Sequence, residues 1–369
     1  MTQDFRAFLS PVHRVVGLGE PTHREPAFPL ARNELFARLV AGGFRSIALE
    51  TDRVAALAVN DFVQRGTGTL EAVMDEGFTH GFGAFEANRR LVAWMREYND
   101  GRPEAERLAF HGIDAPLEFT AASPRAHLEH ARDYLGLEID IAGPAGEDER
   151  WSRMEAVVDP AESPGDTPEA RWLRAIADDM LVALYARAPE LIAATSREAW
   201  SRAKIHLASG LGLLRYHAQA AQRLENGVRW SRLSALRDAL MAQNLLDIRD
   251  REARRGPTLV FANNLHLQRN PSRMRMGDMD LTWHGTGAIL SSLLGEEYAF
   301  IPGTLDREPG PAADCASRRR PAWRLTAAEE VDPAEAPAAE NHFPLDRATL
   351  DGSEAVLHVR GGAAAEEAS

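Results

Sequence analysis

Glu20 and His23 lie three residues apart, directly after the apolar run Val15-Val16-Gly17-Leu18-Gly19. A carboxylate next to an imidazole can serve as a general base, the acid fixing the useful ring tautomer and stabilising the cation left after proton transfer. The plainer alternative is a turn in which His23 caps the following helix. The same kind of ending recurs. Residues 44–50 finish on Glu50, followed by Thr51 and Asp52; residues 107–114 carry His111 and Asp114; residues 258–266 carry Asn263, Asn264 and His266. Four apolar runs thus end in ionisable or amide side chains, which favours one shared site over four unrelated turns.

Runs of this kind read as buried strands. Between the early ones, helical patterns fall at about 30–42, 54–65, 69–75 and 84–99, the first stopped by Gly42-Gly43. Strand–helix alternation predicts parallel βαβ units, and a parallel sheet brings its strand ends to one edge, where ligands bind. From about 124 to 250 strand signals vanish and Ala, Leu, Arg and Glu predominate, which predicts the amphipathic helices of a bundle. Strand signals resume near 258–263, 297–301 and 355–360. The expected fold is α/β: a mostly parallel central sheet flanked by helices, with an inserted α-helical bundle. Residues 1–123 and 231–361 are expected to form the core and 124–230 a helical insertion or lid. Within this frame 326–341, rich in Ala, Glu and Pro, reads as a mobile connection, and 362–369 as a disordered tail.

Gly19-Glu20-Pro21-Thr22-His23, followed by Ile47-Ala48-Leu49-Glu50, resembles the erythromycin esterase family. Supporting matches are Leu91-Val92-Ala93-Trp94-Met95-Arg96-Glu97-Tyr98-Asn99 and Phe110-His111-Gly112-Ile113-Asp114. Further along, Arg237-Asp238 with Met241-Ala242 and Asn244, and then Asn264-Leu265-His266, also match. The resemblance runs from about residue 15 to about 302. It implies hydrolysis of a small-molecule ester or lactone, such as a macrolide, without a resident metal. Under it, His23, Glu20, Glu50 and His266 form the catalytic set. His23 takes a proton from water attacking an ester carbonyl, Glu20 or Glu50 orients its ring, and His266 or Arg24 stabilises the oxyanion. Arg24, Asp52, His80, His111, Asp114, Asn263, Asn264 and His284 are expected to line the substrate. Two places depart from the family pattern. Its last loop usually reads His-Asn-x-His, whereas Asn263 puts an amide, which is neither base nor cation, in place of the first histidine. Arg24 and Ala27 stand where the family has glycine and glutamate.

Three function classes follow. The first is a hydrolase. The second is a non-hydrolytic tailoring enzyme of secondary-metabolite biosynthesis, working by elimination or ring closure; Asn263 speaks for it, because proton abstraction needs one base, and a partner protein would complete its site. The third is a non-catalytic small-molecule-binding protein. No cofactor is expected; a divalent metal at Glu20, His23, Glu50 and His266 is a variant of the first two classes. No Gly-x-Ser-x-Gly elbow, dinucleotide fingerprint or phosphate loop is present.

A formal net charge of −13 argues against nucleic acid as a partner, and no apolar run reaches the roughly 18 residues of a membrane span. The N-terminal residues carry no signal-peptide pattern, so a cytoplasmic location is expected. Cys315 is the only cysteine, which excludes an internal disulfide and a cysteine-based zinc cluster. The expected partners are a small-molecule substrate and either another protein or a second copy of the chain. His80 sits in the glycine-flanked stretch Gly77-Phe78-Thr79-His80-Gly81, where a loop role is the simpler reading, and His111 reads equally as a satisfied core histidine.

Overall fold

The computed structural model describes residues 5–23, 25–117, 119–306, 322–333 and 345–360. Among them are ten strands: β1 (Val15–Glu20), β2 (Ser46–Asp52), β3 (Ala109–Asp114), β4 (Thr258–Asn263), β5 (Ser272–Met276), β6 (Met279–Trp283), β7 (Tyr298–Ile301), β8 (Gly303–Leu305), β9 (Trp323–Ala327) and β10 (Ala355–Val359). In β1, β2, β3, β4 and β7 every residue but His111 is buried, as near-continuous apolar runs require when helices cover both faces of a sheet. These five strands form one sheet in the order β3-β2-β4-β1-β7 with all neighbours parallel. The chain is therefore α/β with a mostly parallel central sheet flanked by helices. One face packs on Phe28, Leu35, Phe36, Leu91 and Met95. The other packs on Met241, Leu245 and Ile248 of the helix Asn226–Glu252 and on Leu290 of the helix Thr286–Leu294.

Parallel neighbours need crossover connections, and the one from β3 to β4 is long. It holds the helices Arg125–Leu135, Pro168–Ala186, Arg197–Ala220 and Asn226–Glu252, the first three packing around an apolar centre of their own that includes Leu128, Trp151, Leu173, Leu207 and Leu211. The starts of Pro168–Ala186 and Arg197–Ala220 carry side-chain caps. Thr167 Oγ1 accepts the Ala170 N–H at 3.2 Å and Ser196 Oγ the Ala199 N–H at 3.0 Å, each worth about 1 kcal/mol.

A second sheet, β8-β10-β9, has β10 parallel to β8 and antiparallel to β9. Strand β9 overlaps the start of the expected connection at 326–341. Residues 326 and 327 end β9, and a 3₁₀ turn Ala328–Glu330 follows with Ala328 and Val331 buried against Leu350 and Val356. Apolar anchoring, hidden by the Ala/Glu-rich composition, holds Ala328 and Val331 in place. Residues 334–341 and 362–369 lie outside the described residues. The antiparallel hairpin β5–β6 was also hidden, its alternation of Arg273 and Arg275 with Met274 and Met276 being short and charged. No helix among the described residues is long and apolar enough to cross a membrane.

Candidate active site

The parallel register brings Glu20 beside Asn263 at the carboxyl edge of the sheet. Next to them, Glu50 of β2 accepts the Asn263 backbone N–H through Oε2 at 2.8 Å, leaving Oε1 to face the cleft. The turn after β1 returns His23 onto the same edge, where its Nδ1–H donates to Glu20 Oε1 at 2.7 Å and its ring lies 5.1 Å from that of Phe82. His23 Nε2 stands 3.6 Å from Glu50 Oε1, and the side chain is 34% exposed.

His266 follows β4 in the short helix Asn264–Leu267. Its Nδ1–H donates to Asp238 Oδ1 at 2.9 Å and its Nε2 lies 3.3 Å from the same Glu50 oxygen. Asp238 is fully buried and held on several sides: the Trp283 indole N–H donates to Oδ2 at 2.7 Å, and Thr286 donates its backbone N–H and its hydroxyl to Oδ1 at 2.8 and 2.7 Å. The preceding residue on the same helix, Arg237, reaches Glu50 Oε1 with Nη2 at 3.3 Å and pairs with both oxygens of Asp114. His80 Nε2 meets Asp114 Oδ2 at 3.2 Å from a left-handed backbone (φ 58°) unusual for a residue with a side chain.

These contacts set the charges. Burial disfavours an imidazolium at His266, but Asp238 and Glu50 outweigh it and push its pKa up to about 10. Burial likewise opposes charge on His23, yet Glu50 and Glu20 leave its pKa raised. Burial works against the Glu50 carboxylate too, but His266 and His23 hold its pKa well below the ordinary carboxylate range. Glu20 is the exception: burial dominates and its pKa is raised despite the bond from His23. Arg237 stays a cation, because Asp114 and Glu50 overcome the desolvation of its guanidinium.

Glu20, His23, Glu50 and His266 thus converge, with Asp114 and His80 one layer behind, linked through Arg237. The side chains of the other expected substrate contacts, where described, are engaged as follows. Asp52 turns back to accept the Val54 and Ala55 N–H groups at 2.9 and 3.3 Å, because the β2–β3 register shifts between Leu49 and Asp52. His111 points to Glu252 at 3.0 Å, being three residues from Asp114 and so on the opposite face of β3. Asn263 caps the Leu265 N–H, and Asn264 clamps the Gly303 backbone. His284 is exposed beyond β6, and Arg24 lies outside the described residues. Arg237 and Asp238 are site residues that strand-end reasoning does not reach. Their signal is a charged pair inside a helix whose neighbours Met241, Ala242 and Leu245 are all buried.

Carboxylate and imidazole are acceptable donors for a divalent ion. Here, however, the shared Glu50 oxygen already faces a guanidinium and both imidazoles. Among the described residues no group of three or more His, Cys, Asp or Glu side chains is arranged to hold a metal ion.

A parallel α/β sheet with paired carboxylates and imidazoles at its carboxyl edge defines the class of a cleft protein built at strand ends. The model of the erythromycin esterase family matches residues 40–343, and the chain belongs to that family. Among solved structures, a mutant of the erythromycin esterase EreC in its open conformation is similar at 20% identity. That alignment covers 95% of this chain and 91% of the other with a TM-score of 0.64. A succinoglycan biosynthesis protein is similar at 16% identity, covering 96% of this chain and 89% of the other, TM-score 0.65. A Bacillus cereus protein is similar at 16% identity, covering 95% and 89%, TM-score 0.61. The sequence has no significant match among curated proteins.

Proposed function

We propose that this protein hydrolyses an ester or lactone of a small molecule, with His23 as general base. The observation that carries the reading is the asymmetry of its ring: Nδ1–H is bound to Glu20 at 2.7 Å, while Nε2 lies 3.6 Å from Glu50, beyond hydrogen-bond reach, on a partly exposed side chain. Glu20 fixes the tautomer that leaves the Nε2 lone pair toward the cleft. Nε2 takes a proton from water as the water oxygen bonds to the ester carbonyl carbon. When the tetrahedral intermediate collapses, the C–O bond to the alcohol breaks and the Nε2 proton passes to the departing oxygen. His266 and Arg237 supply fixed positive charge beside the developing oxyanion, where preorganised charge is most effective. The Asn263 backbone N–H is taken by Glu50, and its amide oxygen is taken by Leu265. The amide at this position therefore serves the loop, and the base work falls on His23. Membership in the erythromycin esterase family supports the same reaction class.

Mass spectrometry of macrolides and simpler lactones incubated with wild type and with folded His23→Ala tests this. The expected result is a product heavier by one water, formed at least ~100-fold more slowly by the variant. Equal rates would overturn the role of His23; a product of unchanged mass or lighter by one water would replace hydrolysis by ring rearrangement or elimination.

A further inference from the structure

Among the described residues His80 is the one residue other than glycine with a positive φ, 58°. A side chain there crowds its own backbone, so the conformation persists only where the surroundings hold it, and such residues cluster at functional sites. Two pins hold this one. Just before it, Thr79 is tied to the end of β2: its N–H donates to Thr51 Oγ1 at 2.8 Å and its hydroxyl accepts the Asp52 N–H at 3.0 Å. Just after it, the Phe82 carbonyl accepts from the Asn88 side chain at 2.9 Å. Between the pins the imidazole is aimed inward, 9% exposed, and its Nε2–H donates to Asp114 Oδ2 at 3.2 Å. Burial opposes charge on Asp114, but Arg237 and His80 keep its pKa low, so this carboxylate only accepts.

We infer that His80 is a positioning residue: through Asp114 it fixes the Arg237 guanidinium against Glu50, and so keeps His23 free to act as the base. This role deepens the hydrolysis reading and rests on it where rates are concerned. Among the described residues the Asp114 carboxylate is held by two side chains, Arg237 through both oxygens and His80 through one. His80 fixes Oδ2, Asp114 fixes the guanidinium, and Arg237 Nη2 then reaches Glu50 Oε1 at 3.3 Å. That oxygen also faces His266 Nε2 at 3.3 Å and His23 Nε2 at 3.6 Å. With Arg237 in place, Glu50 is compensated and His23 Nε2 keeps its lone pair toward the cleft. With Arg237 withdrawn, Glu50 draws His23 to itself as an imidazolium, and the base is lost until a higher pH. The His80 ring also lies 5.5 Å from that of Phe82, which is itself 5.1 Å from that of His23, so the same loop braces the base from its side.

Three variants of the full chain test this: His80→Ala, His80→Gly, and His80→Gln, whose amide N–H takes the place of the Nε2–H. In protein labelled with 15N-arginine, the Arg237 Nε–H signal, assigned with Arg237→Lys, reports on the guanidinium without any turnover. Its hydrogen exchange is expected to be at least ~10-fold faster in His80→Ala and His80→Gly, and within about threefold of wild type in His80→Gln. Glycine tolerates the left-handed backbone, so His80→Gly should melt above His80→Ala and still share its faster exchange. That pairing separates the side chain from the backbone. Where an ester is turned over, kcat should fall about tenfold in both variants with KM little changed, and the acid limb of the pH profile should move to higher pH. His80→Gln should reverse both effects. Exchange unchanged in folded His80→Ala and His80→Gly, or faster exchange that His80→Gln does not reverse, would overturn the role. An Arg237 loosened by His80→Ala in a protein that turns over no ester would uphold the positioning and sink only the hydrolysis reading.

Discussion

His266 turns both ring nitrogens to carboxylates, Asp238 at 2.9 Å and Glu50 at 3.3 Å, whereas His23 binds Glu20 with one nitrogen and leaves the other toward the cleft. The pH dependence follows from that difference. The pKa of His23 lies above 6.5, so its neutral, proton-accepting form grows as pH rises through a value higher than that of a free histidine. His266 loses its positive charge only near pH 10. The rate profile of kcat/KM is therefore expected to be bell-shaped, its acid limb centred above pH 6.5 and its alkaline limb near 10. A profile rising through an ordinary carboxylate pKa and flat above it would transfer the base role to a carboxylate. Glu20, His23, Glu50 and His266 are legible in the sequence because each follows an apolar run that can only be a buried strand. Arg237 and Asp238 are less so, since they enter the cleft from the middle of a helix and two turns of apolar neighbours disguise their position.

At the scale of elements, strand ends do the positioning, and small residues let them approach. A Cβ on Gly19 would lie 2.1 Å from Asn264 Oδ1, so the close contact between β1 and the loop after β4 requires glycine. Asn264 then donates to the Gly303 carbonyl at 2.8 Å and accepts the Gly303 N–H at 3.0 Å, tying the start of β8 to the loop that carries His266. Asn264→Ala leaves two buried backbone groups without partners and is expected to cost about 2–4 kcal/mol of stability, read by urea unfolding. A loss below about 0.5 kcal/mol would mean that the loop relaxes and the clamp is not needed. The parallel strands and their crossover helices follow from apolar runs and helical periodicity. The hairpin β5–β6 does not, because its charged outer face and short strands weaken the period-two pattern, and it supplies Trp283, a support of the site.

At the scale of the whole molecule, charged contacts join the long β3-to-β4 crossover to the sheet. Asp247 pairs with Arg53, at the end of β2, and with Lys204, on the helix Arg197–Ala220. Arg202 of that helix meets both oxygens of Asp61 at 2.8 Å. Arg53 is buried, so removing its carboxylate strands a cation, whereas the more exposed Asp61 pair is worth little. Asp247→Ala is expected to lower stability by about 2 kcal/mol while leaving the pH limbs of the reaction in place; thermal unfolding beside a rate profile checks both halves. A helix-rich stretch between β3 and β4 is visible in the composition of residues 124–250. These docking contacts are not visible, because a single Lys or Asp on a helix surface looks the same whether it meets solvent or another element.

The unequal charge of the two imidazoles is the centre of this account, and ring-nitrogen NMR of 15N-histidine-labelled protein measures it directly. With assignments from His23→Gln and His266→Gln, His266 should remain doubly protonated until pH nears 10, while the His23 transition is expected above 6.5. In Asp238→Asn, the His266 transition should move to lower pH as one of its two carboxylates is lost. A His266 that is neutral at pH 7, or one that titrates identically with and without Asp238, would contradict the assignment of a fixed cation beside a single working base.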